Sequence, residues 1–259
     1  MTETAPRDAL VVGGGVAGLT AATFLARADL DTLVVNDDEP IVRRNAHLEN
    51  VPGFPAGVNS RLFTDLLSEQ ADRSGAARLA GRVTDLDVLG DDDDPLFRAT
   101  VETDDGEETV EASRVVAASW SDASYLEDTG VDLRAAGSKT YVGVDDLGRT
   151  AVPGIYAAGR LTEIYHQAVV AAGDAAETAI TLVHDSGTAF YNDWVAPTGY
   201  FTDRGREVPP ACEEIDADER DRRESESREV MREFFAEPHD EPQRTHPSLV
   251  DDELGRLDE

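Results

Sequence analysis

The chain has 259 residues, with 54 Asp and Glu against 23 Lys and Arg, a formal net charge of -31. Such acidity repels phosphate and anionic headgroups, so nucleic acid and charged membrane surfaces are excluded as partners, and no stretch is long and apolar enough to span a bilayer. The one cysteine, Cys212, leaves no intrachain disulfide, C-x-x-C redox pair or cysteine-rich metal site. The five histidines are scattered without a helically spaced acidic partner, so no metal centre is expected. No basic segment followed by an apolar one opens the sequence, and a cytoplasmic protein is expected. The acidity touches every segment and Lys139 is the only lysine, which reads as a halophilic surface.

Residues 8–36 read DALVVGGGVAGLTAATFLARADLDTLVVN. A short apolar strand at 10–12 is followed by Gly13, Gly15 and Gly18 at G-x-G-x-x-G spacing, then an Ala- and Leu-rich helix and a second strand at 32–35. The run fits one βαβ unit that binds a dinucleotide. Residues 38–55 are loop-like, broken by Pro40, Pro52 and Pro55. Asn59 or Ser60 caps a helix through Phe63, Leu66, Leu67 and Ala71 that ends at Gly75. Residues 80–88, 97–103 and 109–112 read as the strands of a β-meander, and 114–118 as a buried strand returning to the parallel sheet. Residues 119–136 form a connector with a helical turn around 123–128. Strand-like segments at 141–144 and 154–158 precede a long amphipathic helix over 167–184. Beyond Asn192 the pattern weakens into irregular chain. A very charged helix covers 216–235, and the last two dozen residues read as a mobile acidic tail.

Three stretches together resemble the flavin-dependent thioredoxin reductase family of the FAD/NAD(P)-binding disulfide oxidoreductase superfamily. They are the glycine opening at 11–36, HLENVPGFPAGV at 47–58, and DDLGRTAVPGIYAAGRLTEIYHQAVVAAGDAAETAI at 145–180. The resemblance implies an α/β fold, a Rossmann-like FAD-binding domain of three-layer ββα type with a small β-meander. In the family a pyridine-nucleotide domain, with its own glycine fingerprint and the redox C-x-x-C, lies between the meander and the closing motif. Here only residues 119–141 fill that interval, too few for a βαβ unit. The expected organisation is one FAD-binding domain over 1–200, assembled from 8–118 and 140–185 around the connector 119–139 and lacking the inserted NADPH domain. Residues 201–259 form an acidic C-terminal extension. Thioredoxin reduction by the family's dithiol mechanism is not expected, because Cys212 has no partner.

The resemblance implies FAD as cofactor and places its contacts. Gly13, Gly15 and Gly18, with Val16 and Ala17, would hold the pyrophosphate at a helix N-terminus. Asn36 stands where an acidic side chain usually bonds the adenosine ribose, with Asp37 and Asp38 beside it; the other reading of 36–39 is an acidic turn. Arg43 and Arg44 would pair with flavin phosphates or with neighbouring carboxylates. Asn50, Pro52 and Gly53 match the loop beside the isoalloxazine, with Phe54 as apolar wall or core. Val83 joins the set from the meander. Ala118, Ser119 and Trp120 replace the family's Ala-Thr-Gly turn, and Trp120 fills space left by the missing domain or covers the adenosine. Gly159 is followed by Arg160 where the family carries an Asp that bonds the ribityl chain; Arg160 reaches the pyrophosphate or pairs with Glu163. Gln167 and Ala168 open a helix whose N–H groups would point at the flavin C2 carbonyl. Tyr165 and His166 are the catalytic candidates, His166 as a proton relay or as a helix-capping or surface residue.

The expected function is electron or hydride transfer through FAD. The electrons would come from a small-molecule donor or a redox partner protein. The alternative is a non-catalytic flavin-binding or apo scaffold that binds a partner. An NAD-binding enzyme fits the closing motif less well. A homodimer through 195–201 or 230–235 would bury surface left open. Dense like charge needs counterion screening, so the melting temperature is expected to rise by about 10 °C between roughly 0.1 and 2 M KCl. Circular dichroism melts across that range check it, and a flat or falling trend would remove the halophilic reading.

Overall fold

The computed structural model describes residues 5–241 except Asp38, Asp92 and Ser138. Of the last two dozen residues, expected to be mobile, those after 241 lie outside the described residues, whereas His239 and Glu241 are tied to Asp65 and Arg43. Strand β1 (Ala9–Val12) leads through the glycine loop into helix α1 (Val16–Arg27) and returns as β2 (Thr32–Asn36). β1 and β2 pair in parallel, Leu10 beside Leu33 and Val11 beside Val34. Side chains alternate across a strand. Leu10 and Val12 therefore enter one core layer and Ala9 and Val11 the other, all four 5% exposed or less.

Helix α2 (Ser60–Arg73) starts at Asn59, whose Oδ1 accepts the Arg61 and Leu62 N–H groups at 2.9 and 3.3 Å. Strand β3 (Ala77–Ala80) follows, then β4 (Arg82–Val88), β5 (Phe97–Thr103) and β6 (Gly106–Ala112), which form an antiparallel meander. Strand β7 (Val115–Ala117) returns to the parallel sheet. A hairpin of β8 (Leu133–Ala136) and β9 (Lys139–Val142) precedes β10 (Ile155–Ala157) and helix α3 (Ala168–Asp185). The five-stranded sheet has the order β10-β7-β1-β2-β3. On one face α1 and α3 pack through small residues, Ala17, Ala21 and Ala22 with Ala175 and Ala179. On the other face the meander contributes Val83, Leu86, Phe97, Ala99 and Val101. This is the expected three-layer arrangement.

Three segments differ from the sequence reading. The strand expected over 80–88 is two strands. Gly81 breaks it, since a side chain there would meet Glu102 O at 2.8 Å, and β3 adds to the parallel edge beside β2. The connector contains the β8–β9 hairpin, turned at Gly137 with φ +65°. The chain beyond Asn192 holds a parallel pair, β11 (Trp194–Pro197) with β12 (Cys212–Ile215). The Glu214 carboxylate accepts the Gly199, Phe201 and Thr202 N–H groups at 2.9, 2.5 and 3.0 Å and so ties the connecting loop to this pair. Four-residue strands containing Pro or paired Glu carry no alternation to recognise. Helix α4 (Ala217–Phe234) follows. The residues after it pack back on the loop before α2 and on α2 itself: Phe235 stacks on Phe54 at 6.3 Å, and His239 Nε2 lies 2.8 Å from Asp65 Oδ2.

Two side-chain environments fix the sheet-to-helix geometry. A Cβ on Gly18 would lie 1.8 Å from Gly13 O. Gly18→Ala is therefore expected to cost about 3 kcal/mol by overpacking, read as a shifted denaturation midpoint at constant slope. After β10, a 3-10 turn (Gly159–Thr162) is held by Asp174 of α3, whose Oδ2 accepts the Gly159 N–H at 2.6 Å. Burial raises the Asp174 carboxyl above its ordinary range, partly offset by bonds from Gly159 and Thr162. A raised folded-state pKa means the native state holds the proton more tightly, so this group's contribution to stability falls as pH rises above the unfolded value of about 3.9. Asp174→Asn keeps an acceptor without the charge. It is expected to melt at or above the wild-type temperature at pH 7, with the gap closing toward pH 4. A lower melting temperature at pH 7 would show that the charged hydrogen bond outweighs burial.

Candidate functional site

A cavity of about 1130 Å³ opens at the carboxyl ends of β1, β2 and β7, the crevice where open α/β sheets bind ligands. Its floor is the loop Gly13–Ala17. Gly13 has φ +113°, and a side chain there would strike Ala118 O at 2.5 Å, so only glycine lets the two strand exits approach. A side chain on Gly15 would meet nothing within 4 Å, which leaves open space directly over the start of α1. Gly15 is also the N-cap, without a side-chain acceptor, and no acidic residue occupies the first turn. The first N–H groups of α1 thus have no capping side chain, as an anion site requires. Helix α3 likewise begins after Gln167 without a side-chain cap. These features fit a pyrophosphate-bearing dinucleotide.

Around this floor stand Val16, Ala17, Asn36, Asp37, Arg44, Asn50, Val83, Ala118, Ser119, Trp120, Arg160, Tyr165, His166, Gln167 and Ala168. The sequence placed all of them at the site. Asn36 Oδ1 accepts the Gly14 N–H at 2.8 Å, and a side chain on Gly14 would come within 2.9 Å of Asn36. Across the cavity, Asn50 Nδ2 donates to Gln167 Oε1 at 2.5 Å and ties the 47–58 loop to the start of α3. Asp38, proposed beside Asn36, lies outside the described residues.

Five expected residues do not line the cavity. Gly18 sits behind the loop against Gly13 and acts through packing. Gly159, with φ +74°, is buried against Ala17, 2.6 Å from where its own Cβ would be. Pro52 and Gly53 are exposed and do not line the cavity. Arg43 is held elsewhere: its guanidinium bonds Asp65 at 2.6 Å, Glu39 at 3.1 Å and Glu241. Carboxylates took it because α2 and the C-terminal segment bring two of them within reach. Phe54 belongs to the core, edge-on to Phe63 at 6.1 Å.

The departures from the family pattern meet at one point. The Arg160 guanidinium lies 3.7 Å from the centre of the Trp120 ring, a cation–π contact. Its Nε is buried with no hydrogen-bond partner among the described residues. Of the two readings of Arg160, the pairing with Glu163 is not made; Glu163 pairs with Arg134. His166 lies 5.8 Å from Trp120. Slight burial and the charges of Arg160 and Lys139 hold its imidazole below the usual range, so it is mostly neutral at pH 7. Tyr165 stands on the rim, 84% exposed. Sequence reasoning missed Tyr125, a buried wall residue whose hydroxyl lies 2.9 Å from Ser119 Oγ, and Asp174. The signal for Asp174 was a carboxylate in the first half of an alanine-rich helix, one turn before Glu177.

The chain is similar in sequence and in fold to known proteins. A family model described as FAD binding domain matches residues 8–48, and one described as pyridine nucleotide-disulphide oxidoreductase matches residues 78–175. A thioredoxin reductase of Streptomyces clavuligerus is 34% identical over 88 residues, 33% of this chain and 27% of the relative. One of Listeria monocytogenes is 28% identical over 141 residues, 54% of this chain and 41% of the relative. The chain thus spans less than half the length of these curated relatives. Among solved structures, a thioredoxin reductase from Gloeobacter violaceus superposes with a TM-score of 0.63 at 16% identity, covering 74% of this chain and 100% of that one. An oxidoreductase from Agrobacterium tumefaciens gives 0.60 at 16% identity, covering 70% and 99%. At such identities the superpositions show the fold. Glycine loop, cavity and matched stretches together make the chain similar to thioredoxin reductases and to the pyridine nucleotide-disulphide oxidoreductases, and support FAD as its cofactor; its sequence holds no cysteine pair for dithiol chemistry.

Proposed function

We propose that the protein binds FAD in this cavity and passes electrons or hydride between an external donor and acceptor. The observation that carries this reading is the open space over Gly15 at the uncapped start of α1, inside a cavity long enough to reach the start of α3. Gly13, Gly15, Val16 and Ala17 hold the pyrophosphate. Asn36 and Asp37 take the adenosine ribose, with Val83 beside it, and Ala118 and Ser119 close the strand exit. Asn50, Gln167 and Ala168 border the ring end. Bound there, FAD supplies the redox chemistry while the protein supplies position and electrostatics. His166, neutral and on the cavity wall, accepts or returns a proton there. Tyr165 on the rim meets the incoming donor, either a small molecule or a redox partner protein. A homodimer that buries Val195, Met231 and Phe235, all exposed, belongs to the same proposal, as does the halophilic surface.

A second reading is a scaffold that holds flavin without turnover, or none at all. The charge reversal at Arg160 and the single Cys212 favour it. Absorbance spectra between about 300 and 600 nm, with FAD added in molar KCl, separate the two. The expected result is stoichiometric bound flavin that bleaches with dithionite and recovers in air. Folded protein that refuses FAD would overturn the cofactor site, and bound flavin that never bleaches would favour the scaffold. Gly15→Val fills the open space without touching protein atoms. It is expected to fold normally and bind FAD at least about 100-fold more weakly.

A further inference from the structure

We infer that the Arg160–Trp120 stack is an anion clamp that closes over the pyrophosphate of the bound dinucleotide. This rests on the reading that the cavity holds FAD. The two residues come from opposite sides of the glycine loop. Trp120 follows Ala118 and Ser119, whose backbone lies against Gly13, and Arg160 follows Gly159, which lies against Ala17 in the first turn of α1. Their side chains meet 3.7 Å apart, ring centre to guanidinium carbon, and both line the cavity. The stack therefore spans the space over the helix start, where the phosphates lie.

Charge requires such an element. The cavity wall carries Asp37, Glu39, Glu49 and Asp122 in a chain of net charge -31. A pyrophosphate dianion placed there needs a local cation. Of the other arginines on the same wall, Arg82 is paired with Asp122 at 2.5 Å and Arg44 stands in the loop after β2, not against the glycine loop. Arg160 has a buried Nε without a partner, and its plane is held by the indole. A guanidinium so held presents its N–H edge in a fixed direction, the geometry that phosphate recognition uses. Trp120 adopts φ +64°, a region unfavourable for any residue with a Cβ. Strain of this kind persists where the surrounding structure over-determines it and points to a role for the side chain.

The test compares FAD with ADP-ribose, which carries the same pyrophosphate without the flavin ring, by titration calorimetry on wild type, Arg160→Met, Arg160→Lys and Trp120→Gly. Arg160→Met is expected to weaken both ligands about 10- to 100-fold, to flatten the salt dependence of binding, and to leave the apo melting temperature in place. Arg160→Lys keeps the charge and loses about 3-fold. Trp120→Gly relieves the backbone strain, so it folds, and weakens FAD about 3- to 10-fold. Loss of affinity with an unchanged salt slope would make Arg160 merely structural and overturn the clamp. FAD binding undiminished in Arg160→Met overturns the clamp and leaves the flavin reading standing. ADP-ribose bound through Arg160 in a protein that rejects FAD keeps the clamp and removes the flavin reading. Wild type that binds neither ligand overturns both.

Discussion

Helix α1 approaches the end of β1 so closely that the Gly13 carbonyl lies against Gly18, 1.8 Å from where a Cβ would stand. That approach sets the direction of α1, and with it the place where its first N–H groups point. The same loop touches the β7 exit through Gly13 and the β10 exit through Ala17, so three strand ends converge on a few backbone atoms. Asn36 accepts the Gly14 N–H and Asp174 the Gly159 N–H beside this convergence. The contact is steric, and it is tolerated because the residues involved have little or no side chain. The cavity, the two uncapped helix starts and the convergence of Trp120 with Arg160 all follow from it.

Charge works against this site rather than for it. The chain is acidic throughout, and most of its arginines are drawn into surface ion pairs such as Arg7 with Asp31, Arg98 with Glu111 and Arg149 with Asp185. Exposed pairs of this kind contribute little singly, on the order of 0–1 kcal/mol each. Their effect here is to commit cations. Arg43 shows it: α2 presents Asp65, the C-terminal segment presents Glu241, and the guanidinium lies 14% exposed between them. A residue whose type suits a phosphate is thereby held for the packing of the C-terminal segment against α2. In such a background any cation left inside the cavity has a large influence, because bulk screening reaches it least.

The site was readable where chemistry demands a residue type at a fixed spacing. G-x-G-x-x-G after an apolar strand placed the cavity floor, and Asn50, Arg160 and Gln167 followed from motifs that must return to the same ligand. The helices were readable from caps and period, as at Asn59 and over α3. What stayed hidden was held by tertiary contacts alone. β3 pairs along the edge of β2, and its alternation, four residues long, is too short to mark a strand by itself. The β11–β12 pair depends on one Glu214 carboxylate collecting three backbone donors across a loop. Arg43 pointed to phosphate by residue type, and only the fold shows that Asp65 and Glu241 reach it first. Phe54 was open between wall and core until Phe63 and Phe235 were seen on either side of it.

The two departures at the strand exits are coupled, and their coupling says how the site has been rebuilt. A glycine at position 120 would relieve a left-handed backbone that costs on the order of 1–2 kcal/mol. A carboxylate at 160 would add to a wall already carrying four acidic side chains. Each residue makes sense through the other. The indole covers the guanidinium, and the guanidinium offsets a field that excludes anions. Between β7 and β10 the described residues form one short hairpin and a 3-10 turn (Ser124–Leu126), so this end of the cavity is walled by side chains of the exits themselves. Trp120, Tyr165 and His166 line this end of the cavity. The rim there sets the rings of Trp120, Tyr165 and His166 beside the one guanidinium of Arg160, on a molecule otherwise acidic.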